Sequence, residues 1–185
     1  NLPFFFKLDN GVDLERLQAS IQQLFEVHPE LKAVIQMGEK GYVILRDDDK
    51  QIEIPIIDAD ETQWQQIKEG LLYPYLYQQR EPLYHISIYR TKEANYLFFD
   101  IAHIMGDGLS MNILFEDLNR LYAGEKLPQE TYTFYEYILD EKARDERGVR
   151  AENVKYYEKL MEGMKVRRSI LTRSVSYALD KGEDA

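Results

Sequence analysis

The chain has 185 residues, enough for one domain or one lobe of a larger unit, and its fourteen tyrosines and eight phenylalanines can fill a sizeable core. A formal net charge of −10 argues against a nucleic-acid partner, which needs a basic stripe; the one basic cluster, Lys165 to Arg168 with Arg173 beyond, is too small to reverse it. The absence of cysteine excludes disulfides and thiolate metal sites, and neither a membrane-spanning run nor a signal peptide is visible, so a cytoplasmic protein with no membrane partner is expected.

Residues 2–8 are an apolar and aromatic run that reads as a strand. Asn10 and Gly11 signal a turn and Asp13 an N-cap. Leu14, Leu17, Ile21, Leu24 and Phe25 then recur at helical spacing as far as His28 and Pro29. Residues 31–37 and 42–45 read as a hairpin joined through Gly38 and Gly41. Asp47, Asp48, Asp49 and Lys50 form a solvated turn, without the regularly spaced oxygen ligands of a calcium loop. Residues 52–57 alternate around Pro55, which suits an edge strand.

A helix is predicted over 61–72, with Trp64, Ile67 and Leu71 on one face, interrupted at Tyr73, Pro74 and Tyr75. Strands follow at 83–89 and 96–101 around a turn at 91–95. Residues 109–122 form a helix with Ile113, Leu114, Leu118 and Leu121 inward, closed by Gly124. Residues 133–161 are largely helical and highly charged, with a break near Gly148. No repeat appears, and no second-domain boundary precedes about Gly163. This order predicts an α+β protein, an α/β sandwich in which helices pack on a mixed sheet.

Period-two alternation places Leu97, Phe99, Ile101 and His103 on one face of the strand and Phe98, Asp100 and Ala102 on the other. His103 is one of three histidines and sits where strand gives way to loop, a usual place for a working side chain. At the end of an apolar column its imidazole is expected to be partly desolvated, able to exchange a proton near neutral pH. The competing reading is a structural histidine held by a backbone carbonyl.

The run from Ala102 through His103 to Asp107 and Gly108 resembles the HHxxxDG motif of nonribosomal peptide synthetase condensation domains, with Ala102 in place of the first histidine. Other segments extend the resemblance over nearly the whole chain. Residues 1–8 and 12–17 resemble the first strand and helix of that family. His28-Pro-Glu-Leu-Lys32 is similar to its H-x-x-L-R segment and Glu81-Pro-Leu-Tyr-His85 to its G-P-L-x-R strand. Residues 114–124 are a typical continuation of the motif, and residues 156–160 resemble the helix that closes the amino-terminal lobe.

The resemblance implies a chloramphenicol acetyltransferase-like lobe: residues 1–165 as the amino-terminal lobe, and residues 166–185 as the start of a crossover to a carboxy-terminal lobe missing from this chain. The chain, which begins at Asn1 inside a strand-like run, is expected to be part of a longer protein. The implied reaction joins an upstream acyl or peptidyl thioester to a downstream aminoacyl thioester. Both would ride on 4′-phosphopantetheine arms of carrier domains, so no metal and no directly bound cofactor are implied. The implied partners are those carrier domains, an adenylation domain in the parent protein, and the second lobe.

His103 matches the motif histidine that acts as general base or positions the attacking amine. Asp107 matches a structural acid whose partner position is Lys32. Gly108 matches the glycine that leaves room for substrate and backbone, and Ala102 is expected to be a packing position. Two other readings stay open: a free-standing acyltransferase of the same superfamily using coenzyme A, and a degenerate lobe that only docks carrier domains. The fragment alone is expected to be inactive.

Overall fold

The computed structural model describes residues 1–163 apart from 40, 48, 50, 78 and 79. The expected crossover at 166–185, the basic cluster, Asp48 and Lys50 therefore lie outside the described residues. The chain divides into two units, Asn1–Tyr137 and Ile138–Ala185.

The first unit is built on a four-stranded mixed sheet whose strands lie in the order Leu2–Leu8 (β1), Asn95–Ile101 (β6), Tyr84–Arg90 (β5) and Ile56–Asp58 (β4). Strand β1 runs antiparallel to β6, and β6 antiparallel to β5. At the far edge β4 pairs parallel with β5. It is shorter than the predicted 52–57 strand because the preceding residues are satisfied elsewhere. Gln18 and Gln22 of the first helix donate side-chain amides to the Ile54 and Ile52 carbonyls. A separate hairpin, β2 (Ala33–Gly38) and β3 (Gly41–Arg46), meets the segment just before β5 in an isolated Val34–Pro82 bridge.

The alternation along β6 decides what covers each face. Leu97, Phe99 and Ile101 pack with Ile86 and Ile88 under α1 (Leu14–Val27) and α3 (Gly108–Ala123). Phe98 points the other way, onto Trp64 of α2 (Glu61–Gly70) and Tyr89. Ala102, one residue past the strand, packs with Ala33, Ile35, Tyr75 and Leu83. Each large side chain buried here contributes about 1.5–3 kcal/mol.

Helix starts follow local chemistry. Asp13 accepts the Arg16 N–H, and Asp60 and Gln63 cap each other reciprocally. Within α3 the buried residues are Met111, Leu114, Leu118 and Leu121. Ile113, expected inward, is 47% exposed. Its place on the helical wheel lies off the seam that 111, 114, 118 and 121 share.

The helix predicted over 133–161 is two helices, α4 (Phe134–Glu146) and α5 (Val149–Met161), separated at Gly148 with φ 84°. A left-handed residue cannot continue an α-helix, which is why the break falls on a glycine. In the second unit Ile138, Leu139, Val154, Tyr156, Tyr157 and Leu160 are exposed. Among the described residues, no helix is long and apolar enough to cross a membrane.

Candidate functional site

Strand β6 ends at Ile101, and a tight connection of six residues leads to the first residue of α3. Its backbone is well held. The Ala102 N–H donates to the Leu83 carbonyl (2.9 Å) and the Met105 N–H to the Ala102 carbonyl (2.8 Å). Asp107 then caps α3: its Oδ1 accepts the Ser110 N–H (2.9 Å) and hydroxyl (3.0 Å), while its own N–H donates to Ser110 Oγ (3.2 Å). The Ser110 amide and hydroxyl hold the Asp107 carboxyl below its usual range.

His103 lies in this connection as an exposed residue, and among the described residues its ring makes no hydrogen bond. The expectation of a partly desolvated imidazole is therefore corrected. The strand's alternation stops at Ile101, and the turn carries the ring out of the apolar column. What His103 faces is a cavity of about 410 Å³, whose lining also includes Glu30, Ile44, Met105, Asp107, Ser110 and Tyr135. This places a titratable ring on a fixed backbone beside open space.

The other predicted positions divide. Ala102 is fully buried on the face opposite the apolar column. Asp107 and Lys32 do not pair. Lys32 is buried and donates to Glu26 Oε1 (2.7 Å), because the short 3-10 turn Pro29–Lys32 aims it back along α1. Gly108 was expected to allow close backbone approach, yet a Cβ there would meet nothing within 4 Å. The tight position is Gly106, where a Cβ would stand 2.9 Å from Ser110 Cβ, so a side chain there would displace the cap.

Sequence reasoning passed over Gly106, Ser110 and Glu30. The Asp107-x-x-Ser110 spacing is a visible capping signal. Glu30 lies inside the His28–Lys32 match but nothing local singles it out. Burial, together with the neighbouring Glu130 carboxyl, pushes its pKa up to about 7. Its neighbour His28 is buried at the end of α1, with Nε2 3.0 Å from Asp117 Oδ2 of α3.

A second buried polar group lies across the strands. Asp100, paired in register with His85, is fully buried; its Oδ2 accepts from Asn1 Nδ2 (2.7 Å), and its Oδ1 has no partner. His85 lies between the rings of Tyr73 and Tyr75, with centroids 3.9 and 4.3 Å away, and its Nδ1 is 3.6 Å from Asp100. Burial lowers the His85 pKa, against the opposing pull of Asp100.

The chain is similar to parts of very large synthases. It is 29% identical over 140 residues to surfactin synthase subunit 1 of Bacillus subtilis, covering 75% of this chain and 4% of that protein. It is 32% identical over 129 residues to tyrocidine synthase 3 of Brevibacillus parabrevis, covering 69% of this chain and 2% of that one. Among solved structures, the epimerization domain from the third module of tyrocidine synthetase B superposes with a TM-score of 0.74 at 20% identity. That superposition covers 91% of this chain and 41% of the other. The fold is thus the chloramphenicol acetyltransferase-like one expected from the motif. The sequence pattern of the condensation domain family matches residues 1–181, and the chain belongs to that family.

Proposed function

We propose that this chain is the amino-terminal lobe of a peptide synthetase condensation domain that forms an amide bond between two carrier-bound thioesters. The observation that carries the reading is His103: an exposed imidazole on a backbone fixed at both ends, facing a cavity large enough for reacting groups. The downstream amine attacks the upstream thioester carbon, so a C–N bond forms and the C–S bond breaks. The amine's proton passes to the imidazole or to the departing thiolate, and the products are the amide and a free phosphopantetheine thiol. His103 serves either by taking that proton or by holding the amine in line.

Both substrates arrive on 4′-phosphopantetheine tips of carrier domains, and tethering supplies proximity that free reactants lack. The chain's own residues need no metal or redox group for this step. The reading also assigns it a carboxy-terminal lobe as the opposite wall, an adenylation domain in the parent, and a cytoplasmic setting.

The test presents the parent protein with two loaded carrier domains, and separately with acyl-coenzyme A and small alcohols, and follows products by mass spectrometry. Condensed product on the downstream carrier is expected. Ester formation from coenzyme A alone would overturn the reading in favour of a free-standing acyltransferase. Carrier binding with no product in either arm would leave a docking lobe.

A further inference from the structure

The structure assigns a divalent-metal site, suited to zinc, to His28 Nδ1, Glu30 and Glu130. Two backbone hydrogen bonds bring these groups together. The backbone folds back at the end of α1, where the Leu31 N–H donates to the His28 carbonyl (3.0 Å), which turns Glu30 toward His28. The Glu130 N–H donates to the Val27 carbonyl (2.9 Å), which fastens the loop before α4 at the same place. The result is one nitrogen and two carboxylate oxygens all within 4.8 Å of one another. His28 Nδ1 is 3.5 Å from Glu130 Oε2 and 3.8 Å from Glu30 Oε1. Ligands of a tetrahedral zinc at its usual bond lengths are separated by roughly 3.4 Å.

A second observation comes from the far side of the ring. His28 is only 4% exposed, and its Nε2 is committed to Asp117 Oδ2 at 3.0 Å. Arg120 holds Asp117 at 3.0 Å as a carboxylate, an acceptor that requires a donor from the imidazole. The ring therefore carries a hydrogen on Nε2, and Nδ1 is the nitrogen turned toward the two glutamates. Among the described residues Nδ1 makes no hydrogen bond, and Glu30 Oε2 is buried without a partner. Lone pairs of one nitrogen and two carboxylates converge here, held together either by a proton, as at Glu30, or by a bound cation, and their spacing fits the cation. The carboxylate–histidine pairing is the one that orients metal-bound imidazoles. A nitrogen ligand disfavours magnesium and calcium, which prefer oxygen alone, and suits zinc. With three protein ligands, water takes the fourth position, and the ion fastens the loop at Glu130 to the end of α1.

The test titrates the EDTA-stripped protein with zinc chloride by calorimetry, in the presence of excess magnesium, with cobalt(II) absorption reporting coordination number. One zinc per protein molecule at micromolar or tighter affinity, a four-coordinate cobalt spectrum and a raised Tm are expected. Asp117→Asn should weaken zinc about 10–100-fold by releasing the ring. Glu130→Gln removes a partly exposed ligand with little risk to folding and should weaken zinc by at least about tenfold, whereas Glu15→Gln, a distant exposed acid, should not. Absence of zinc uptake, with only a proton held between the groups, overturns the assignment. So does equal loss in Glu130→Gln and Glu15→Gln, or displacement by magnesium.

Discussion

His103 and His28 occupy opposite environments within one small unit. His103 is exposed, its ring makes no hydrogen bond among the described residues, and only its backbone is held. His28 is buried, and its ring is engaged on one side by Asp117 and approached on the other by two glutamates. Both belong to segments that resemble motifs of the condensation domain family, so the motifs alone do not separate chemistry from architecture. Environment does: a ring with no internal obligations can serve a substrate, and one committed to a buried carboxylate serves the fold.

The comparison breaks or holds on two substitutions. In the parent protein His103→Ala is expected to lower single-turnover amide formation by about 10²–10⁴-fold, the usual contribution of a positioned acid–base group. Its Tm should move by no more than roughly 2 °C, as for other exposed substitutions. His28→Ala should do the reverse to stability. It opens a cavity at the end of α1 and strands Asp117, costing about 3 kcal/mol and lowering Tm by roughly 6–12 °C. Calorimetry on both variants decides the matter. Equal destabilisation would mean that His103 carries packing after all.

The elements were legible because their signals are local. The cap at Asp13, the two-residue alternation of Leu97 to Ala102, and the glycine at 148 each act within a few residues. The errors arise where a local rule was extended past its element. Alternation was carried from Ile101 to His103, although the strand had already ended. Lys32 was matched to Asp107 by family pattern, but the 3-10 turn sends its ammonium to Glu26, six residues back. The meeting of Glu30 with Glu130, far apart in sequence, had no local trace at all. It depends on the loop after α3 returning to the end of α1, which the Glu130–Val27 hydrogen bond achieves.

The two buried histidine–carboxyl groups should have opposite pH signatures. Glu30 binds its proton more tightly when folded, with its pKa raised from 4.5 to about 7. Between those values the folded chain holds the extra proton, so this group's contribution to stability falls as pH rises through the window. His28 and Glu130 face it directly, with Asp117 behind the ring. His85 has a folded pKa below its usual 6.5, so below that value the unfolded chain takes up a proton that the folded one refuses. Its contribution falls as pH drops, with Asp100 and Glu81 opposing. In EDTA, Glu30→Gln should gain Tm relative to wild type on going from about pH 5 to about pH 7.5, by a few degrees. His85→Phe, which keeps the stacking between the tyrosines, should lose relative Tm over the same interval. Parallel profiles for the two variants would show that neither group titrates as its surroundings dictate.

The smallest effect concerns Asp107. A buried ion pair with Lys32 would make its loss severe, but the structure gives it a different task, capping α3 at the surface. Asp107→Ala is therefore expected to lower Tm by about 2–4 °C, and Asp107→Asn by less, since asparagine caps nearly as well. The decisive comparison is a double-mutant cycle with Lys32→Met. Two residues that share no partner should act additively, Asp107 through Ser110 and Lys32 through Glu26. A double variant that falls no further than the worse single one would reinstate the pair. Thermal melts of the four proteins distinguish these outcomes, and additivity would identify this aspartate as the cap that sets where α3 begins and hence where the His103 turn must end.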